Sequence, residues 1–150
     1  MELRNYEVLS GEEIDIVLHK KSSGDILKGW SPEYKFQILL QGTDTVIGYI
    51  NLRLGDSEKV INYIGHIGYG IDEQYRGSKF AAKACNIIRE IIKDHSMKKV
   101  IITCNPDNYA SRKICETIGA TFIEIVDIPE TSDAYSTNET QKCRYEWIIQ

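Results

Sequence analysis

The chain has 150 residues, 42% hydrophobic and 27% charged, the composition of one globular domain able to bury a core. Eighteen Lys and Arg against 22 Asp and Glu leave a net charge of −4, which argues against nucleic acid or a membrane surface as a partner held by bulk charge. No apolar run reaches the length of a membrane span. Charges at Glu2, Arg4 and Glu7 stand where a signal peptide needs its apolar segment, so a cytoplasmic protein is expected. Cys85, Cys104, Cys115 and Cys143 include no CxxC pair, so neither a zinc knuckle nor another metal site is expected, and buried free thiols fit that compartment.

Ser10-Gly11-Glu12-Glu13 reads as a helix start, Ser10 as N-cap and Glu13 completing a capping box, with Ile14, Val17 and Leu18 on one face. Ser22 to Pro32, rich in Ser and Gly, reads as a loop. Tyr34 to Leu40 and Thr45 to Leu54 are strand-like, joined by a turn at Gln41-Gly42-Thr43-Asp44. A turn at Gly55-Asp56-Ser57-Glu58 leads into a third β-rich run, Val60 to Ile71, and the three runs predict an antiparallel meander. From Ser78 to Asp94 the apolar residues fall at helical spacing. Lys99 to Cys104 suits a strand buried on both faces. A helix from Asn108 to Ile118 should end at Gly119 in the left-handed conformation. Strands at Thr121 to Ile128 and Cys143 to Ile149 flank an exposed loop, Glu130 to Thr140. The order predicts a single α/β domain over residues 1–150, built on a sheet of mixed direction.

The stretch that carries chemistry is Ile71-Asp72-Glu73-Gln74-Tyr75-Arg76-Gly77-Ser78-Lys79-Phe80-Ala81, where a strand passes through a small turn into the long helix. Such a turn presents unpaired backbone N–H groups at the positive end of a helix dipole, a seat for phosphate. Arg76 and Lys79 add charge, and Gly77 lets the backbone approach an anion closely. Neither GxxxxGK[ST] nor GxGxxG is present. Taken alone, the turn reads equally well as a basic surface loop that caps a helix.

Gln74-Tyr75-Arg76-Gly77-Ser78-Lys79 resembles the Q/R-x-x-G-x-G/A pyrophosphate loop of the GNAT N-acetyltransferase superfamily. Downstream, Asn105 to Ala120 is similar to that family's N-x-x-S/A helix ending in E-x-x-G-F, and the resemblance runs over about residues 46 to 126. Lys79 stands where the family has Gly or Ala; a residue with helical dihedrals at a helix start needs no glycine, so the loop should still donate its amides. Ala120 replaces the usual Phe.

The resemblance implies a mostly antiparallel central sheet with a splayed parallel strand pair and flanking helices, and acetyl-CoA lying between the strands that end near Ile71 and Cys104. Its pantetheine arm would pair with the backbone at Tyr69 and Ile71. The pyrophosphate loop is implied over Gln74, Arg76, Gly77, Ser78, Lys79, Phe80 and Ala81, and Asn108 and Ser111 would touch the cofactor's far side. The implied reaction is direct attack by a primary amine, of a small molecule or a peptide, on the thioester. Many members place an acid tyrosine where this chain has Cys115, whose thiol is a candidate donor and equally a small core residue. His66, leading into the cofactor loop, is the candidate base, with a histidine satisfied inside the sheet as the alternative. Tyr75 and Tyr109 are nearby hydroxyls. Trp30, Tyr34 and Tyr49 are candidate acceptor-pocket aromatics or core, and Asp127 to Glu130 with Asp133 a candidate attraction for a cationic amine or a solvated loop. His19 and His95 read as surface residues at helix ends, His95 with a charge that suits the dipole.

The runner-up is a CoA-binding module without catalysis, and a nucleotide-phosphate binder on another α/β fold is a third reading. An edge near the last strand is suited to a homodimer.

Overall fold

Buried apolar residues alternate along three successive stretches: Ile14 and Ile16; Tyr34, Phe36 and Ile38; Ile50 and Leu52. That two-residue period makes strands with one face turned inward. The computed structural model describes residues 2–150, and in it these stretches are β2 (Ile14–Ser22), β3 (Glu33–Leu40) and β4 (Val46–Arg53). With β1 (Val8–Ser10) and β5 (Ile67–Ile71) they form an antiparallel sheet in the order β1-β2-β3-β4-β5. Helix α1 (Phe80–Asp94) covers its inner face with Ala84, Cys85, Ile88, Ile91 and Ile92, all fully buried. A second antiparallel sheet, β6-β8-β7, is built from β6 (Lys99–Cys104), β7 (Thr121–Asp127) and β8 (Gln141–Ile148). Helix α2 (Tyr109–Ile118) precedes β7 and ends at Gly119 with φ 89°.

The single sheet of the expectation is therefore two sheets, with β5 at the edge of one and β6 at the edge of the other. No ladder joins β5 to β6 among the described residues.

The first predicted helix is instead the β1–β2 hairpin. Gly11 N–H donates to Ile14 O at 3.0 Å across the turn and Glu13 adopts φ 66°. Ile14 and Ile16 both reach the core only if the chain is extended, and this long-range burial outweighs a local capping pattern. The third β-rich run is also only partly strand. Val60–Ile64 coils into one turn of π-helix, and side chains from both sheets take its carbonyls. Arg144 Nε donates to Ile61 O (3.0 Å), Thr103 Oγ1 to Tyr63 O (2.8 Å) and Arg53 Nη1 to Ile64 O (3.3 Å). This turn fastens the sheets to each other.

The last strand, β8, lies in the middle of its sheet, so the free edge belongs to β7. His95 caps α1 but its Nε2 bonds the Tyr34 hydroxyl at 2.7 Å, and burial lowers its pKa, which opposes the dipole-stabilised charge expected. His19 lies on β2, exposed, beside a register shift between Leu18 and Lys20. All four cysteines are free and buried. No helix among the described residues is long and apolar enough to cross a membrane.

Candidate functional site

Because β5 ends one sheet and β6 ends the other, two strand edges without ladder partners face each other. They touch where Gly65 and His66 meet Ile101, and no ladder joins them among the described residues. The gap is a cleft of about 920 Å³. One wall carries Tyr69, Phe80 and Ala81, and α2 adds Ser111 and Ile114, with Asn108 at its start. On the other face of β5 the outward positions are Gly68 and Gly70. A Cβ on Gly70 would lie 2.5 Å from the Tyr49 ring, so the bare strand lets Tyr49 lie across it.

The loop after β5 makes a 3₁₀ turn (Glu73–Tyr75), closed by Tyr75 N–H to Asp72 O at 2.9 Å. Arg76 folds back so that its Nε donates to Ile71 O at 2.9 Å. Gly77 then takes φ 88° and Lys79 φ 62°. Lys79 thus sits in the left-handed region rather than the helical one expected of it, in a conformation that favours glycine. The first hydrogen bond of α1 is Lys83 N–H to Lys79 O, so the amides of Phe80, Ala81 and Ala82 have no partner in the helix. No side chain caps this end and no carboxylate lies in its first turn. The three residues border the cleft.

Charge reinforces the point. Arg53, Arg76, Lys79, Lys113 and Lys142 line the cleft against a single carboxylate, Glu139, although the chain as a whole is acidic. Arg53 is paired with Glu33 (3.3 Å), Lys113 with Glu116 (3.6 Å) and Lys142 with Glu139 (3.5 Å). Among the described residues Arg76 and Lys79 have no ion-pair partner, and they flank the uncapped helix end. This end of the cleft is therefore electropositive.

Of the residues singled out in the sequence, Tyr69, Ile71, Arg76, Gly77, Lys79, Phe80, Ala81, Asn108 and Ser111 line the cleft, and Gln74 and Ser78 do not. Asn108 also has a structural role, since its Oδ1 accepts from Ser111 N–H at 3.1 Å as the N-cap of α2. Ser111 Oγ lies 2.7 Å from the Tyr69 hydroxyl. Burial raises the Tyr69 pKa well above the ordinary phenol value, which keeps that hydroxyl protonated.

The two catalytic candidates lie elsewhere. Cys115 is 0% exposed, and burial pushes its thiol up to about 12; it is a core residue on the buried face of α2. His66 is 2% exposed with both ring nitrogens engaged: Nδ1 accepts from Ile101 N–H at 2.9 Å, which leaves Nε2–H to donate to Gly55 O at 2.8 Å. A base needs a free lone pair, and this imidazole has none. Tyr75 lines the cleft, whereas Tyr109 is 74% exposed outside it. Of the acceptor-pocket aromatics only Tyr49 borders the cleft; Tyr34 is core and Trp30 is on the surface. Asp133 pairs with Lys59 at 2.8 Å.

Arg53, Lys142, Glu139 and Tyr49 complete the walls, and the functional reading of the sequence gave a place only to Tyr49. The others come from β4, β8 and the preceding loop, and no local pattern marks them.

Residues 8–121 match a family model described as an acetyltransferase (GNAT) domain. No curated protein sequence matches the chain. The fold is shared with solved acetyltransferases. An apo form of RimL, a ribosomal L7/L12 α-N-protein acetyltransferase, superposes with TM-score 0.69 at 16% identity, covering 95% of this chain and 98% of that one. A ribosomal-protein-S5-alanine acetyltransferase from Vibrio fischeri gives 0.68 at 15% identity, covering 95% and 97%. The microcin C7 self-immunity acetyltransferase MccE, solved with acetyl-CoA and AMP, gives 0.59 at 19% identity over 78% of this chain, which spans 61% of that chain's length.

Proposed function

Since the chain belongs to the GNAT acetyltransferase family, we propose that it transfers the acetyl group of acetyl-CoA to a primary amine of a small molecule or a peptide. The observation that carries this reading is the pair of unpaired strand edges, β5 and β6, opening onto an uncapped, cation-flanked helix end. An extended chain of amides ending in a diphosphate fits that shape and charge. The edge of β5 at Tyr69 and Ile71 offers backbone partners to the amides of a pantetheine arm. The amides of Phe80, Ala81 and Ala82, with Arg76 and Lys79, are the seat for the diphosphate, and Gly77 and Ser78 shape the turn beside it. Asn108 and Ser111 close the far wall.

The cofactor supplies the activated acetyl group as a thioester, which a neutral amine attacks directly. The chain's part is to hold the reactants together, exclude water and deliver a proton to the departing thiolate. Tyr69 is the group we assign to the departing thiolate: its hydroxyl borders the cleft, is oriented by Ser111 Oγ at 2.7 Å, and is restored by the proton that the amine nitrogen gives up as the C–N bond forms and the C–S bond breaks. Tyr69→Phe should lower kcat about 100-fold, within the range of general-acid effects, with acetyl-CoA affinity retained. An unchanged kcat would remove Tyr69 from the mechanism.

A second reading, an acetyl-CoA-binding module without catalysis, is favoured by one observation: neither His66 nor Cys115 reaches the cleft. Thiol release from acetyl-CoA in the presence of a panel of primary amines and peptides separates the two. Amine-dependent release supports transfer; saturable binding with no release from any amine supports the module. We further propose that a homodimer, where one forms, uses the free edge of β7, whose Phe122, Ile123 and Ile125 are 44%, 42% and 45% exposed.

A further inference from the structure

His66 sits where the two sheets touch, and its side chain takes the place of a peptide group. Ile101 on β6 would, in a continuous sheet, bond the backbone of a neighbouring strand. Here one residue satisfies both of its polar groups. His66 N–H donates to Ile101 O at 2.7 Å, and Ile101 N–H donates back to His66 Nδ1 at 2.9 Å, the imidazole nitrogen standing in for a carbonyl. Nε2–H donates to Gly55 O at 2.8 Å, which ties the ring to the turn after β4, and Arg53 N–H donates to His66 O at 2.7 Å. Gly65 brings the backbones into contact: a Cβ there would meet Ile101 O and Thr103 N at 3.0 Å each. Ile64 and Ile67, on either side of this contact in the chain, both line the cleft.

We propose that His66 is a positioning residue for acyl transfer: the clamp from its imidazole to Ile101 N–H closes the apex of the cleft and fixes how deep an acyl-thioester can enter. This rests on the reading that the cleft holds acetyl-CoA. A peptide carbonyl at this place would bond Ile101 but has no donor for the second tie to Gly55. The imidazole does both with two nitrogens pointing in different directions, and it does so only while neutral.

The test is a series that separates the two bonds. His66→Asn places an amide oxygen near the position of Nδ1 and retains the bond to Ile101. His66→Gln places an amide nitrogen near Nε2 and retains only the tie to Gly55. His66→Leu retains neither. The clamp predicts that His66→Gln and His66→Leu lose kcat by about 10- to 100-fold through misplacement of the thioester, and that His66→Asn recovers to within about threefold of wild type. It also predicts that the ratio of propionyl-CoA to acetyl-CoA turnover rises in the Gln and Leu variants and not in Asn. Equal impairment of Asn and Leu would overturn the proposal and point to an imidazole needed for its chemistry. Equal kcat per folded molecule across the series would overturn it too, by showing a stabilising role alone. If His66→Leu fails to fold, the Asn and Gln pair carries the comparison.

A second readout needs no cofactor. In wild-type protein the imidazole ¹⁵N spectrum should show Nδ1 as a hydrogen-bonded acceptor and Nε2 protonated, and the Ile101 amide should be among the slowest to exchange. Protonation at Nδ1, or a fast Ile101 amide, overturns the clamp. Failure of the wild type to bind CoA would instead overturn the functional reading and leave these two observables as the judges of the clamp.

Discussion

Replacing Gly77 with valine perturbs the proposed diphosphate seat while touching little else. Gly77 has φ 88° and nothing lies within 4 Å of where its Cβ would be. The cost is therefore backbone strain with no clash, about 1–2 kcal/mol for a side chain in the left-handed region and at the upper end for a β-branched one. The loop relieves that strain by rotating out of φ > 0, which turns the local amides away from the end of α1. Losing one charge-assisted hydrogen bond to phosphate costs about 1.5–3 kcal/mol. At about 1.4 kcal/mol per decade, acetyl-CoA binding should weaken roughly 10- to 100-fold. The melting temperature should fall by only about 3–8 °C, because the strain is confined to one loop residue. Calorimetric titration with acetyl-CoA and a thermal melt on the same sample measure both. A folded Gly77→Val that binds like wild type would refute the assignment of this loop. Lys79 gives the companion test: Lys79→Gly should be more stable than Lys79→Ala by about 1 kcal/mol, since both lack the charge and only one still strains the backbone at φ 62°.

Three further outcomes are expected. Cys115→Ala should lose about 1–2 kcal/mol of stability to the small cavity and keep kcat within about twofold; a large loss of kcat in a folded variant would return the thiol to the mechanism. Burial holds His66 (faced by Asp56 and Arg53) and His95 (faced by Arg4 and Asp94) below the ordinary histidine pKa. The unfolded chain then binds more protons between each folded pKa and about 6.5. Stability is thus complete above that pH and declines as pH falls, by up to about 1.4 kcal/mol per pH unit for each histidine. Urea denaturation across that range would contradict this if stability stayed flat or rose on acidification. Finally, Ile123→Lys on the β7 edge should shift any dimer seen by sedimentation to monomer without altering acetyl-CoA binding; an unchanged dimer would place the interface elsewhere.

The later part of the chain is largely legible in its sequence because its signals are local and agree with each other. The 3.6-residue period of α1, the Gly119 stop of α2, and the apolar run of β6 each point to the element formed. The earlier part misleads where local and long-range signals compete. Ser10 to Glu13 carries a capping box, yet Ile14 and Ile16 are placed by burial against α1, a contact no window of ten residues contains. Val60–Ile64 is β-branched and aromatic enough to suggest a strand, yet it coils, with its carbonyls taken by Arg53 and by Thr103 and Arg144, the latter two distant in sequence.

The site divides in the same way. The pyrophosphate-like loop is contiguous and therefore visible; the surplus of cations lining the cleft is hidden by a net charge of −4. His66 and Cys115 draw attention through residue type and position in the chain. Which way each side chain points depends on strand register and helix phase, and in both cases the direction is inward. Lys79 stands at a helix start, where helical dihedrals are the ordinary expectation. Its left-handed conformation, next to the turn at Gly77, puts the start of α1 at Phe80, two residues after the helical spacing begins at Ser78.

Whether the cleft between β5 and β6 holds acetyl-CoA is decided by isothermal titration of the purified protein with acetyl-CoA, with CoA and ATP as controls. The expected result is saturable micromolar binding of acetyl-CoA and CoA, at one site per chain, with ATP at least about tenfold weaker because it cannot fill the strand gap. Absence of acetyl-CoA binding by the folded protein, or ATP binding as tightly as acetyl-CoA, would contradict it.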